Sequence, residues 1–353
     1  MKRFQQVFKT TVCVAIIVRV SFCSADVFHL PTGQTNLEFV SVGSAGNAAD
    51  QTTGLGSVAY SYQIGKYDVT AGQYVDFLNA VAKADPYGLY YSSMSGTAYC
   101  NIERTGESGS YAYSTTTPNR PVNFVSFGNA ARFCNWLTNG QPTGNEDLTT
   151  TEDGSYYLNG AVSNVALRLV IRKATARYVL PSLDEWYKAA YYDQNKPDGA
   201  GYWLYPTRSN TAPTAEVPPG EETTPGSANY LSVMGPDVYL TDVGAYADSF
   251  GPWGTFDQGG LLYQWTDTLL TTSYSGFAMM NSSFLSSSSD QLKSNYPVYP
   301  WSPANQYNFF GFRVAKVPEP SAMCLLLIGA GLCLTLLWKH GFLASNEVRL
   351  AIL

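Results

Sequence analysis

YVLPSLDEWYKAAYYD, residues 178–193, reads as a short strand, a turn and an amphipathic helix in direct succession. Ser182 stands where an N-cap belongs, and Glu185 follows three residues on. At that spacing the hydroxyl takes one orphan backbone N–H of the first turn and the carboxylate reaches back for another. Asp184 and Glu185 also put negative charge at the positive end of the helix dipole. Leu183, Trp186, Tyr187, Ala190 and Tyr191 recur at helical spacing, so one wide face is apolar and aromatic. The pattern predicts a core helix. Neighbouring carboxylates on a helix point in different directions, so Asp184 and Glu185 are not expected to act as a catalytic pair.

Two further capped helices lie upstream. Thr70 and Gln73 repeat the capping box ahead of a Tyr74, Phe77, Leu78 and Val81 stripe, which Asp85-Pro86 closes. Ser126 caps a helix whose buried face is Ala130, Phe133, Cys134 and Leu137, with Gly140 at the C′ position. Strands are expected at residues 37–42, 58–67 and 309–315, and a hairpin at 102–113 around its glycines. Residues 194–226 are rich in Pro, Thr and Gly and read as surface loop, and 229–265 as short strands and tight turns. Three helices, short strands and long loops make an α+β domain with low regular secondary structure. No repeat and no internal linker divides it.

The composition fits a globular chain with an aromatic core: 45% hydrophobic and 26 tyrosines in 353 residues. A net charge of −6 without a basic run argues against a nucleic-acid partner. The two histidines are His29, read as a solvated terminal residue, and His340 near the far end. That excludes a His-activated nucleophile and a His-ligated zinc or iron site. Gly54-Leu55-Gly56 lacks the rest of a nucleotide fingerprint, and Glu221-Glu222 reads as a solvated pair in a loop.

The two ends read as targeting segments. Residues 1–25 carry Lys2, Arg3 and Lys9, an apolar stretch interrupted by Arg19, and small residues at Cys23-Ser24-Ala25. This is expected to be a signal peptide cleaved after Ala25. Residues 322–338 form an apolar run just long enough to span a bilayer, closed by Lys339 and His340. Pro318-Glu319-Pro320 precedes it, within 317–340. Together these resemble a PEP-CTERM sorting tail, which an exosortase recognises in Gram-negative bacteria. The family's terminal arginine cluster is replaced by an extension, residues 341–353. Of six cysteines, only Cys100 and Cys134 fall in the mature domain, residues 26–316. They could pair in an oxidising compartment, or stay as two buried thiols.

Five segments in register resemble the formylglycine-generating enzyme family, the sulfatase-modifying factor domains. They are Tyr67-Asp68-Val69-Thr70 with Gln73 and Tyr74; Arg120-Pro121-Val122 with Ser126 and Trp136; Leu180-Pro181-Ser182 with Glu185-Trp186; Phe256-Asp257-Gln258-Gly259-Gly260 with Trp265; and Gly311-Phe312-Arg313-Val314-Ala315. The resemblance implies the family fold, an elaborated C-type-lectin-like domain.

It also implies what has changed. Enzymes of the family hold copper through two cysteines shortly before the Gly-Phe-Arg motif and oxidise a sulfatase cysteine with oxygen. Two thiolates suit the soft Cu(I) ion. Here residues 281–310 contain no cysteine, and Met280-Asn281-Ser282-Ser283 replaces the expected Arg-Gly-Gly-Ser. Copper is therefore not expected.

A calcium site is expected at Asn229, the Tyr230 carbonyl, Asp237 and Tyr239, since oxygen donors suit a hard cation. Turn capping is the competing reading of Asn229 and Asp237. The second family site reads Gly260-Leu261-Leu262-Tyr263-Gln264-Trp265, with Leu261 and Gln264 in place of Asn and Glu, and is expected to be lost. The expected function is an exported, membrane-sorted, non-catalytic module that binds glycan or protein at the surface. The competing expectations are an oxidoreductase with a rebuilt metal site and a structural component of an extracellular polysaccharide matrix.

Overall fold

A computed structural model of the chain describes residues 37–220, 223–271, 274–280 and 282–318. The expected signal peptide, and the tail from residue 319 onward, lie outside the described residues. Among the described residues no helix is long and apolar enough to cross a membrane.

The first strands are β1 (Phe39–Val42) and β2 (Tyr62–Gly65), followed by helix α1 (Ala71–Val81). Thr70 and Gln73 make both bonds of their capping box. A hairpin, β3 (Ile102–Thr105) and β4 (Ala112–Thr115), pairs antiparallel. In α2 (Phe127–Thr138), Ser126 accepts from the Asn129 N–H, and Gly140 takes a φ of 80° beyond the end. A short helix α3 (Asn164–Leu167) and strand β5 (Tyr178–Val179) lead to α4 (Leu183–Tyr191), whose capping box is also complete. Four two-residue strands follow: β6 (Tyr192–Asp193), β7 (Gly201–Tyr202), β8 (Thr214–Ala215) and β9 (Ser227–Ala228). The longest strands come late: β10 (Tyr263–Thr271) and β11 (Ser275–Met280), then β12 (Pro300–Trp301), β13 (Phe310–Phe312) and β14 (Ala315–Lys316).

Two four-stranded sheets organise these pieces, in orders β1-β2-β14-β5 and β12-β11-β10-β13. The expected terminal strand is two strands, one in each sheet. Gly311-Phe312 runs parallel to β10 and Ala315-Lys316 antiparallel to β2 and β5, so Arg313 and Val314 cross between the sheets. The predicted stripes of α1, α2 and α4 are buried as read. Phe77, Phe133 and Phe312 meet edge-to-face between α1, α2 and β13, at 5.3 Å for Phe77–Phe133 and Phe133–Phe312. Such pairs add to the burial of their area.

Candidate functional site

Four of the five sequence segments meet around Arg313. Its guanidinium is fully buried and donates to the Gly65 carbonyl (2.5 Å), the Phe256 carbonyl (2.6 Å) and Gln264 Oε1 (3.1 Å). Asp68 lies 3.6 Å away, and Gln264 Oε1 also accepts from the Trp186 indole at 2.6 Å. Burial pushes the Asp68 and Asp257 carboxyls up, the latter to about 6, and Arg313 pulls both back. Gln264 and Leu261, at the second family calcium position, are both buried, and Gln264 is spent on this hub.

Glu185 belongs to a second hub. Arg172 donates to both of its oxygens, at 2.9 and 2.8 Å, and to Asp267 at 2.6 Å. The Ser182 N–H and the Tyr60 hydroxyl also bond to Glu185. Burial pushes Glu185 up, but Arg172 outweighs it and holds the carboxyl below its ordinary value. The carboxylate is a fully bonded structural group.

The described cysteines do not fit the paired copper thiolates that the resemblance implies. Cys100 and Cys134 are free thiols, each buried in the main hydrophobic core. Burial pushes the Cys100 thiol up to about 11 and raises Cys134 as well, which disfavours the thiolate that would bind a metal.

The cysteine-free stretch instead lines a cleft of about 60 Å³ against the second sheet. Tyr263 enters from β10 and Met279 from β11, while Tyr296, Tyr299 and Trp301 come from the stretch itself. Gly276 sets the position of Trp301: a Cβ there would stand 2.2 Å from the Trp301 carbonyl oxygen. The Trp301 ring is held edge-on by Phe310 at 5.0 Å, and Tyr299 is 56% exposed. Gln291 and Lys293 supply polar groups at the rim. The hollow is too small to enclose a ligand. It suits a flat ring laid across aromatic faces.

The structure joins two of the four expected calcium ligands. Asn229 Nδ2 donates to the Tyr239 carbonyl at 2.9 Å. Tyr230 is buried, its hydroxyl on the Pro213 carbonyl, whereas Asp237 is exposed and makes no hydrogen bond or ion pair. Asn229 is held in place by Gly260, where φ is +87° and a Cβ would stand 2.4 Å from the Asn229 carbonyl oxygen. Asn229 Oδ1 is buried without a partner, as are Thr207 Oγ1, Thr255 Oγ1 and Gln258 Oε1. All four residues line one cavity of about 10 Å³, room for a single water or ion. Thr207 and Thr255 carry no sequence signal, and Gln258, quoted within a family segment, has none that ties it to Asn229.

An α+β domain whose sequence motifs converge around a buried arginine, beside a cleft without thiols, defines a scaffold class before it defines a chemistry. Residues 26–318 match the sulfatase-modifying factor enzyme 1-like domain, and the chain belongs to that family. No curated protein matches it. Among solved structures, CarF aligns at 17% identity over 80% of this chain and 99% of its own, with a TM-score of 0.49. Variable protein 1 of Treponema denticola aligns at 16% over 82% and 98% (0.48), and PvdO from Pseudomonas aeruginosa at 14% over 80% and 92% (0.41).

Proposed function

We propose that this domain is a copper-free member of the family that binds saccharide on the Tyr263, Tyr299 and Trp301 cleft. The observation that carries the reading is the exchange of chemistry in one stretch. Residues 281–310, where the resemblance places the copper thiolates, have no sulfur ligand and present tyrosines and a tryptophan instead. Aromatic faces stack on the C–H faces of sugar rings, while Gln291 and Lys293 can donate to hydroxyls. Export by residues 1–25, sorting by an exosortase and anchoring by the stretch 322–338 complete the proposal and rest on sequence alone. They would place the cleft at the surface of a Gram-negative cell.

The test is a glycan array with the purified protein, followed by titration of the best saccharide into wild type and Tyr299→Ala. Tyr299 is exposed enough for the change to spare the fold. Loss of one stacking ring is expected to weaken binding about tenfold. No saccharide binding, or binding that ignores Tyr299→Ala, overturns the assignment, and capture of a protein instead would move the ligand class.

A further inference from the structure

The segment after α2 shows an exposed apolar face. Val165, Leu169 and Ile171 are 71, 78 and 76% exposed, and Val162 and Tyr157 are more than half exposed. Isolated exposed aliphatics need no explanation, but several on one short segment mark an interaction surface. This is a firmly seated knuckle. Leu167 and Val170 alternate with the exposed residues and are buried, and Asn164 Oδ1 accepts from the Ala304 N–H at 2.9 Å.

The chain leaves the domain beside this knuckle. Val317 N–H donates to the Arg177 carbonyl at 3.0 Å, extending the pairing of β14 with β5. Arg177 N–H bonds to Ser155 Oγ at 3.2 Å and Lys173 N–H to the Ser155 carbonyl at 2.9 Å. Ile171 is two residues before Lys173. The exit and the knuckle are therefore within a few residues' reach of each other. The apolar stretch 322–338 begins four residues after Pro318, a span of at most about 14 Å.

Among the described residues, the charges of the knuckle that no acidic partner offsets are cationic. Arg177 is exposed, and Arg168 sits within the knuckle sequence, its guanidinium over the Tyr274 ring. Lys173 is offset by Asp153. In a chain of net charge −6, a cationic, apolar spot at the point of exit is a local reversal.

We propose that this face docks on the bilayer surface while the chain is anchored: Val165, Leu169 and Ile171 enter the headgroup region, and Arg168 and Arg177 meet lipid phosphates. Apolar side chains flanked by basic ones are what binds an anionic interface. The inference rests on reading residues 322–338 as the anchor. It fixes the orientation of the domain as well as its tether.

The test uses the full chain in nanodiscs of phosphatidylethanolamine and phosphatidylglycerol. Leu169 is replaced by a benzophenone amino acid, and in a control Val217, an exposed apolar residue of another loop, is replaced the same way. Photolysis is expected to give a lipid adduct from position 169 several-fold above that from 217. Val165→Glu with Ile171→Glu should reduce the position 169 adduct to the control level. A chain that does not co-purify with the discs overturns the anchor reading and the docking with it. A chain that co-purifies but gives no lipid adduct at 169 overturns the docking alone, as does an adduct to its own residues 322–338 or to a second copy.

Discussion

Arg313 shows how single residues carry the family scaffold. It bonds to the Gly65 carbonyl at the end of β2, to the Phe256 carbonyl of a loop and to Gln264 on β10, so its loss would free several segments at once. Glu146 is the opposite case, a carboxyl with both oxygens buried and no side-chain partner, against which only a weak approach of the Tyr87 backbone stands. Burial, with the Asp85 charge adding to it, pushes Glu146 up to about 8, and Arg132 does not offset them. The folded protein then holds a proton that the unfolded chain releases near pH 4.5, so this group's stability is full below that pH and is lost as pH rises toward 8. Denaturant titrations across pH 5 to 8 should show stability falling in wild type and a flatter profile in Glu146→Gln. The variant should be more stable at pH 8 by on the order of 2 kcal/mol. A second residue-scale prediction concerns Asn229. If a hard cation sits against its unpartnered oxygen, a chelator lowers Tm, calcium restores it, and Asn229→Ala abolishes the response. A Tm indifferent to both means that the cavity holds water.

At the scale of elements, α4 was the most legible, because cap, dipole and apolar face all name the same nine residues. Ser182→Ala removes one cap bond and should cost about 1 kcal/mol in a urea titration. Glu185→Ala also leaves Arg172 without its bidentate partner and should cost roughly 3–5 kcal/mol. Equal costs would mean that Glu185 is only a cap. α1, α2 and the β3–β4 hairpin were legible for the same local reasons. The β10–β11 hairpin was not, although it contains the longest strands. Residues 263–271 carry a register shift between Trp265 and Leu269, and β11 is buried for five of its six residues, so neither strand alternates cleanly. The terminal strand was legible as extended chain, but its division between two sheets depends on pairings that no local pattern encodes.

At the scale of the whole molecule, the sequence named the scaffold because its motifs are contacts around shared hubs. The site was harder to read. The cleft is visible in sequence only as a missing pair of cysteines, since its walls come from β10, β11 and a loop that folding brings together. Of the four residues around the oxygen-lined cavity, only Asn229 was legible as a ligand, although Gln258 stood in a quoted family segment. The central claim is that the scaffold has been kept without its copper chemistry. Oxygen uptake with a cysteine-containing peptide, after incubation of the full-length protein with one equivalent of Cu(I), tests it most directly. The account predicts consumption no faster than copper and peptide without protein. Sustained, protein-dependent uptake with stoichiometric bound copper would contradict it and would require ligands other than Cys100 and Cys134.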